Sequence, residues 1–368
     1  MLPYLSLYLK AKGFGLEDIG LLTAIIMTTK IFAPILWVSI AAKYNQPLLM
    51  MRIGALLALI IFSGIYFVKS FWGVALVLFG FSFFLSGILP QLEVLTLRYL
   101  KSDANRYGRI RLWGSVGFIF AATGLGFTFD SLSALSLPIF LGLTVLAIFI
   151  MSLSINPPFV HETNRQAVSL WHVIRRRNVQ MFLLVCCVML VSHGPYYTFY
   201  TLFLESLGYS KSLSGTLWGL GVAAEVGLFF YVHTLFDRVS EYWVLHVSVL
   251  LTAVRWALIA WAPESLLILC VAQFLHAASY GSFHAASMRI VHNFFPGKLE
   301  THGQALYGSL SFGVGGALGA LYAGYSWAHY GATMTFVMAS VMCVVATWLS
   351  FRFVSQELNS SVPISRGS

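Results

Sequence analysis

The sequence has little charge: only 10% of its 368 residues are Asp, Glu, Lys or Arg, while 58% are hydrophobic. A soluble globular domain averages about 25% charged residues. The composition therefore excludes a soluble globular protein. The formal net charge of +9 does not indicate nucleic acid binding, because the basic residues stand in short clusters between apolar runs, as orientation signals do.

Motifs of enzymatic and ATP-driven chemistry are also absent from the sequence. It contains no G-x-x-x-x-G-K-[ST] phosphate-binding loop and no H-E-x-x-H zinc motif. Residues 1–10 lack the basic region and the small-residue cleavage site of a signal peptide. We therefore expect no metal, no cofactor and no enzyme activity. Four cysteines lie inside apolar runs without metal-ligand spacing, which favours a packing role: Cys186, Cys187, Cys270 and Cys343.

Long hydrophobic runs are what the sequence has instead. A spanning helix needs about 20 mostly apolar residues. Eleven runs are predicted to be spanning helices, over residues 16–41, 49–69, 71–98, 108–129, 133–154, 179–204, 212–235, 242–261, 264–291, 303–326 and 331–353. A shorter run, Met1 to Leu9, precedes them and covers about half of the hydrocarbon core at 1.5 Å per residue. We expect this run to be a truncated first helix, the result of a late start.

The distribution of basic residues predicts an orientation. If the end of the short first run lies outside, sixteen of the 22 Lys and Arg fall on or beside the cytoplasmic side and four fall outside. The positive-inside rule favours this arrangement, with a cytoplasmic C-terminus. The polar, proline-marked segment 155–180 predicts a linker between two halves. The predicted domains are a six-helix bundle over 1–155, a cytoplasmic linker over 156–178, a second six-helix bundle over 179–355 and a cytoplasmic tail over 356–368.

The two halves contain an internal repeat. At an offset of 195 residues, Gly13-Phe14 aligns with Gly208-Tyr209, and Lys30 aligns with Glu225. At an offset of 191, Glu93 aligns with His284. Six spans separate the members of each pair, and an even number of crossings gives both halves the same orientation. Transporters built from such parallel repeats bind their substrate between the halves near the midplane.

Several segments carry a resemblance to a known family. They are Leu2-Pro3-Tyr4-Leu5, Thr29-Lys30-Ile31, Pro90-Gln91-Leu92-Glu93, Arg111-Leu112-Trp113-Gly114-Ser115, Ala224-Glu225-Val226, Phe283-His284-Ala285-Ala286-Ser287 and Gly303-Gln304-Ala305-Leu306-Tyr307. In these segments the chain resembles the major facilitator superfamily, and within it the phenylpropionate permease-like group of proton-coupled symporters. The resemblance implies an all-α membrane protein with the major facilitator fold: twelve transmembrane helices as two parallel six-helix repeats.

The resemblance also implies a gating loop after the second helix of each half. The superfamily signature G-x-x-x-D-R-x-G-R is degenerate in the first half, where the segment from Val38 to Ala42-Lys43-Tyr44-Asn45-Gln46 lacks the Asp and both glycines. The second half keeps Asp237-Arg238. We therefore expect Asp237 and Arg238 to mark the gating loop.

Four ionisable residues lie in the apolar spans and are the main candidates for function: Lys30, Glu93, Glu225 and Arg255. A charge at the bilayer centre costs about 2.5–3.5 kcal/mol on insertion scales, so each needs a partner or a function. One interpretation is that they pair and hold the halves together. The other is that Glu225 or Glu93 carries a proton, while Lys30 or Arg255 binds an anionic substrate, or the carboxylate when substrate is absent.

Histidines and tyrosines extend the candidate site. His284 is a third proton candidate because imidazole titrates near neutral pH. The other substrate-binding candidates lie in the first and seventh helices, which line the cavity in the superfamily: Tyr4, Tyr8, His193, Tyr197 and Tyr200. Their rings can stack on an aromatic substrate while a hydroxyl holds its polar end. Packing, or a place in the interfacial aromatic belt, is the alternative for each.

Small residues recur every four positions in the eighth and eleventh helices. They are Gly215, Gly219 and Ala223, and Ser311, Gly315, Gly319 and Ala323. Such faces let helix backbones approach closely. We expect these two faces to be where the halves press together.

These patterns predict a secondary active transporter in the cytoplasmic (inner) membrane. The favoured function is proton-coupled symport of a small organic anion, such as an aromatic acid, by alternating access. A carrier of sugar, nucleoside or drug with the same fold is the alternative, and an intramembrane enzyme or a sensor fits less well. The expected partners are a small-molecule substrate and the lipid bilayer, with no nucleic acid, and the chain is expected to be a monomer that uses the proton gradient.

Overall fold

The computed structural model describes residues 2–100, 104–156 and 171–354, and every regular element within them is a helix. The predicted tail and residues 157–170 of the predicted linker lie outside the described residues. The helices, numbered here in chain order, are α1 (Leu2–Ala11), α2 (Leu16–Tyr44), α3 (Pro47–Tyr66), α4 (Phe71–Leu100), α5 (Ala104–Ser131), α6 (Ala134–Leu153), α7 (Arg177–Ser206), α8 (Lys211–Arg238), α9 (Glu241–Trp261), α10 (Leu266–Phe294), α11 (300–330) and α12 (332–353), with a short turn at Trp171–Ile174.

Ten of these helical stretches are long and apolar enough to cross a membrane, when α11 and α12 are counted as the single stretch Glu300–Phe353. That stretch is 54 residues long and is interrupted at Gly331, whose φ of 80° and ψ of 174° lie outside the helical region. The interruption separates the last two predicted spans, so each of the eleven predicted full spans has its helix. The prediction of an all-α membrane protein is confirmed.

Serine side chains define where four of the spanning helices begin. Ser70, Ser210, Ser240 and Ser265 each accept a hydrogen bond from a backbone N–H in the first turn of α4, α8, α9 and α10. These N–H groups have no acceptor inside the helix. Because lipid offers no acceptor either, the serines satisfy donors that would otherwise be costly at a span end.

The predicted repeat is visible in the turns that end α1 and α7. Gly13 and Gly208, 195 residues apart, both adopt left-handed backbone conformations, with φ of 94° and 85°. The following N–H groups close the same type of turn: Phe14 donates to the Leu9 carbonyl at 3.1 Å, and Tyr209 donates to the Leu204 carbonyl at 3.0 Å. A glycine is favoured at this position because it has no Cβ. The two halves therefore share this local structure at the offset that the sequence predicts.

The buried apolar residues form two clusters. One consists of residues from α1–α6 together with Phe199 and Leu202 of α7 and three alanines of α11. The other consists of residues from Val173 to Val354 together with Ala122 of α5. Helices α5, α7 and α11 therefore contribute to both clusters and join the halves. The domain boundaries at 155 and 179 stay a prediction.

At one end of the bundle, α5 and α8 are in close contact. Asp130, at the end of α5, accepts hydrogen bonds from the backbone N–H groups of Lys211 (2.8 Å) and Ser212 (3.1 Å) at the start of α8. The Tyr4 hydroxyl donates to the Ala122 carbonyl at 2.6 Å and lies 3.4 Å from the Lys211 carbonyl. We call this end, defined by these five residues, the closed end.

Glycines allow this close approach between the predicted halves. A Cβ atom on Gly215 of α8 would lie 2.3 Å from the Ala122 carbonyl oxygen of α5. A Cβ atom on Gly20 of α2 would lie 2.7 Å from the Cα atom of Gly324 in α11. Both distances are below van der Waals contact, so these helices touch backbone to backbone.

The small-residue face of α11 differs in part from its prediction. Gly315 packs against the Cys187 carbonyl and Gly319 against the Val191 carbonyl, and both carbonyls belong to α7. Pro195 has no N–H to donate to the Val191 carbonyl, so that oxygen lacks its helical partner. Gly315 and Gly319 therefore join α11 to α7 inside one predicted half, while Ala323 of the same face belongs to the cluster formed mainly by α1–α6.

Candidate functional site

A cavity of about 200 Å³ lies where α2 meets α7, α10 and α11. Three small residues on its wall, Gly194, Gly316 and Ala320, leave room for a solute. The residues that line it are Thr23, Met27 and Lys30 of α2, Leu190, Gly194, Tyr197 and Thr198 of α7, Tyr280 of α10, and Phe312, Gly316 and Ala320 of α11. We call it the central cavity. It lies between the predicted halves, as transporters with parallel repeats require.

Two polar groups of the central cavity have no partner among the residues that the structure describes. Within the described part of the chain, no hydrogen bond or ion pair engages the Lys30 ammonium. The Thr198 side chain is 4% exposed, and its hydroxyl has no hydrogen-bond partner among the same residues. A buried donor without a partner is costly. The cavity therefore presents one cation and one hydroxyl that a ligand can satisfy.

Aromatic rings form another part of the cavity wall. Tyr197, Tyr280 and Phe312 line it, and His193 stands behind the two tyrosines, with ring centroids 5.6 Å from each. The His193 Nδ1 donates to the Met189 carbonyl at 2.8 Å, while its Nε2 has no partner in the described residues. Such a wall can stack on the ring of a solute.

A chain of three ionisable residues lies beside the cavity, and we call it the charge chain. The Arg255 guanidinium donates from Nη1 to Nδ1 of His276 at 3.0 Å. Because Nδ1 accepts, a neutral His276 carries its proton on Nε2. That nitrogen lies 3.7 Å from Oε2 of Glu225, whose side chain is 18% exposed. The arrangement gives Glu225 a neighbour whose charge depends on protonation.

Burial and ring contacts hold Arg255 in place. Its side chain is fully buried, and its Nε donates to the Ala272 carbonyl at 2.8 Å. Its guanidinium carbon lies 4.3 Å from the ring centroid of Tyr196 and 4.7 Å from that of Trp256. Arg255 is not among the residues that line the central cavity, and its Nε, Nη1 and Nη2 atoms each have an acceptor within the protein. Its direct contact with substrate stays a prediction.

Three predicted substrate-binding tyrosines also lie away from the central cavity. Tyr4 is at the closed end. Tyr8 is buried in α1, with the Lys12 ammonium 5.7 Å from its ring centroid. The Tyr200 hydroxyl accepts a hydrogen bond from Gln273 Nε2 at 2.7 Å inside the second cluster. Of the predicted substrate contacts, Lys30 and Tyr197 line the cavity and His193 stands directly behind it.

The other two proton candidates lie apart from the charge chain. Glu93 Oε1 is 3.7 Å from Nη1 of Arg111 on α5, and both side chains are well exposed, at 41% and 65%. The His284 Nδ1 lies 3.5 Å from the Tyr307 hydroxyl. Of the three candidates, Glu225 has the least exposed carboxyl and the closest connection to a buried cation.

The predicted gating residues lie at the end of α8. Asp237 and Arg238 are both exposed there. In the first half, Asn45 follows α2 with a left-handed φ of 50° and accepts a hydrogen bond from Arg98 of α4 at 2.9 Å. The degenerate first-half loop is therefore fixed to α4 through an asparagine.

Sequence reasoning missed several residues of this region. Tyr280 and Thr198 were not singled out, because neither carries a charge or a motif. In the sequence, Arg111 is one of the basic residues that predict the orientation in the membrane. The Arg-Leu-Trp-Gly-Ser segment that it begins also carries the family resemblance. Among the described residues, no group of three His, Cys, Asp or Glu side chains is placed to hold a metal.

Comparisons with known proteins agree with this architecture. The chain is 31% identical over 353 residues to the "Probable 3-phenylpropionic acid transporter" of Escherichia coli (strain K12), covering 92% of this chain and 90% of that protein. It is 23% identical to the "Maltose permease" of Geobacillus stearothermophilus, covering 97% and 91%.

Solved structures show the same fold. The nucleoside transporter NupG (D323A mutant) matches with a TM-score of 0.87 at 15% identity, covering 96% of this chain and 95% of that one. A bacterial homolog of the human lysosomal transporter Spinster matches with a TM-score of 0.70 at 14% identity, covering 96% and 93%. The sequence profile of the MFS_1 like family matches residues 1–338. The chain therefore belongs to the MFS_1 like family and is a multi-pass membrane transporter of the major facilitator type.

Proposed function

We propose that this transporter is a proton-coupled symporter of a small organic anion, such as an aromatic acid of the phenylpropionate type. The observation that carries the proposal is the Lys30 ammonium, which lines the central cavity without a carboxylate partner in the described residues. A cation inside an apolar bundle costs free energy, and an anionic solute would offset that cost. The 31% identical relative from E. coli, named for 3-phenylpropionic acid, supports the same substrate class.

The walls and size of the cavity favour a small aromatic solute. Tyr197, Tyr280 and Phe312 offer rings, and Thr198 offers a free hydroxyl. Drug-sized ligands occupy pockets of about 300–1,000 Å³, and the central cavity measures about 200 Å³. A wall of three rings and one cation suits an aromatic anion better than a disaccharide or a nucleoside.

The charge chain supports the coupling to protons. In this proposal Glu225 carries the proton, and His276 and Arg255 favour its ionised form when the proton leaves. The proton gradient is the energy source, and no cofactor takes part.

Alternating access follows from the closed end. By the predicted orientation this end faces outward, and in this proposal the solute leaves the central cavity toward the cytoplasm while this end stays closed. The same proposal places the chain in the cytoplasmic (inner) membrane as a monomer with a cytoplasmic C-terminus and without a nucleic acid partner.

Uptake into proteoliposomes tests this function. We expect an inward proton gradient to drive accumulation of labelled 3-phenylpropionate, and a protonophore to abolish it. Uptake that ignores the protonophore would contradict symport. Uptake of labelled uridine or maltose without any uptake of phenylpropionate would favour the alternative carrier with the same fold.

Substitution of Glu225 tests the proton carrier. In the Glu225→Gln variant we expect solute exchange between the two sides to continue, because exchange needs no net proton movement, while accumulation and its increase at acidic external pH are lost. Glu93→Gln and His284→Gln are the matched variants. Full pH-dependent accumulation by Glu225→Gln would exclude Glu225 as the proton carrier. Loss of that accumulation in Glu93→Gln or His284→Gln would assign the role of proton carrier to the replaced residue.

A further inference from the structure

The central cavity and the charge chain are adjacent but separate. Arg255, His276 and Glu225 are not among the residues that line the cavity. A solute bound at Lys30 therefore does not touch the proposed proton carrier directly. Symport needs a free-energy coupling between the two sites, so some element must respond to both.

Tyr280 contacts both sites. Its ring lines the central cavity, and it stacks on the His276 imidazole with ring centroids 5.1 Å apart and an interplanar angle of only 8°. The imidazole uses its two nitrogens in that plane, one toward Arg255 at 3.0 Å and one toward Glu225 at 3.7 Å. The stack therefore fixes the plane in which His276 faces Glu225.

The backbone at Tyr280 is itself unusual. Residues Ala277–Gly281 form a π-helical segment inside α10. Such wide turns are rare in proteins overall, and many of those that occur lie at functional sites. The segment begins directly after His276 and ends at Gly281, where an added Cβ atom would lie 3.0 Å from Cγ of Glu225. Both ends of the segment therefore meet the charge chain, and Tyr280 meets the cavity.

We infer that Tyr280 is a positioning residue that links solute binding in the central cavity to proton binding at Glu225 through the His276 imidazole. This inference rests on the proposed symport. A solute that stacks on Tyr280 shifts its ring, and His276 follows because the two rings are in face contact. The 3.7 Å separation of His276 Nε2 and Glu225 Oε2 exceeds the hydrogen-bond range of about 2.7–3.2 Å. A shift of less than about 1 Å therefore makes or breaks that bond.

Other titratable groups around the charge chain take part in its pH dependence. Arg111 of α5 and Arg255 of α9 act electrostatically on Glu225, and His193 of α7 acts on His276. Tyr196 and Tyr197 of α7 also interact with Glu225. The Tyr280 hydroxyl itself also interacts with Glu225. The Tyr280→Phe variant removes that interaction and keeps the ring, so a comparison with Tyr280→Leu reports on the ring stack.

The test compares Tyr280→Leu with Tyr280→Phe in proteoliposomes, with labelled 3-phenylpropionate as the probe. Tyr280→Phe keeps the stack, and we expect its pH profile of accumulation to follow the native one. Tyr280→Leu is expected to exchange solute with a raised KM, while its gradient-driven accumulation falls at least about fivefold, the lower end of measured couplings between sites. If Tyr280→Leu shows no exchange, Tyr280→Met, with a longer flexible side chain, replaces it.

Tyr197→Leu is the matched control, because Tyr197 lines the same cavity without a ring contact to His276 among those described. We expect it to raise KM and to keep the ratio of protons to solute. The inference is overturned if Tyr280→Leu accumulates solute with the native pH profile, or if Tyr197→Leu loses coupling equally. Native protein whose uptake ignores the protonophore would overturn the proposed symport, and this inference with it.

Discussion

Asp130 at the end of α5 accepts a hydrogen bond of 2.8 Å from the backbone N–H of Lys211 at the start of α8. The carboxylate of one predicted half therefore caps a helix of the other half. A carboxylate at this position also complements the positive end of the helix dipole. The bond joins the two predicted halves, so we expect its strength to influence how readily the closed end opens.

We predict that Asp130→Ala opens the closed end. Loss of a helix cap costs about 0.5–2 kcal/mol, which shifts the closed-to-open ratio about 2- to 30-fold. We would measure the distance between spin labels at positions 132 and 264, in place of Leu132 and Glu264, in a cysteine-free background. In the Asp130→Ala variant we expect a population with a longer distance. Asp130→Asn keeps one acceptor oxygen but loses the second acceptor and the negative charge, so it is expected to lie between the native protein and the Ala variant. Equal distances in the Ala variant would remove Asp130 from the gating equilibrium.

Gly215 gives a second prediction for the same contact. A leucine there meets the Ala122 carbonyl, because even a Cβ atom would lie 2.3 Å from that oxygen. We expect Gly215→Leu to abolish uptake by preventing closure. Gly227→Leu on the same helix is the control, since nothing lies within 4 Å of the position of its Cβ atom. Normal uptake by Gly215→Leu would show that α5 and α8 need not approach this closely during transport.

Lys30 is predicted to recognise the negative charge of the solute. A hydrogen bond to a charged group contributes about 1.5–3 kcal/mol, so Lys30→Gln is expected to raise the KM for 3-phenylpropionate about 10- to 150-fold. Binding of the neutral 3-phenylpropionamide is expected to stay as in the native protein. Lys43→Gln, an exposed position on the same helix, controls for the loss of a lysine. An equal loss for acid and amide would refute charge recognition.

Thr198 is predicted to bind solute at the expense of stability in the empty protein. Its buried hydroxyl has no partner among the described residues, so Thr198→Val removes a donor that costs about 1–3 kcal/mol when unsatisfied. We expect thermal unfolding of the empty variant to occur at the same or a higher temperature. Its KM for 3-phenylpropionate is expected to rise about 2- to 12-fold, the loss of one hydrogen bond.

Thr144→Val is the control for Thr198, because the Thr144 hydroxyl is exposed and donates to the Phe140 carbonyl at 2.8 Å. It is expected to leave the KM unchanged. A Thr198 variant that is less stable and binds solute as the native protein does would assign this hydroxyl to packing.

The structural features that can be predicted from this sequence are those that depend only on residues close together in the chain. The eleven long spans follow from apolar length, and the equivalence of Gly13 and Gly208 follows from a repeat that also requires a left-handed backbone. Lys30 is a candidate from sequence alone, because a cation in an apolar helix can be recognised without knowing which helices surround it.

What sequence could not predict depends on which helices become neighbours. Arg255 was as conspicuous as Lys30, but its acceptor at Ala272 and its flanking rings come together only in the packed bundle. The π-helical segment Ala277–Gly281 contains no proline, and its serine and glycine are residue types that also occur throughout the regular apolar helices. The small-residue face of α11 is a contact surface, as predicted, but its periodicity does not say which helix each residue meets, and Gly315 and Gly319 meet α7.

The small residues of the cavity wall have a consequence for directed evolution of this transporter. Gly194 leaves no space behind it, because a Cβ atom there would lie 2.1 Å from the Gly319 carbonyl oxygen. Gly194 and Gly316 have no side chain to shorten. In variant libraries selected for transport of bulkier solutes, the cavity can therefore gain volume only where a long side chain is replaced by a shorter one. Met27, Leu190 and Phe312 are those positions, and we expect adaptive changes to accumulate there.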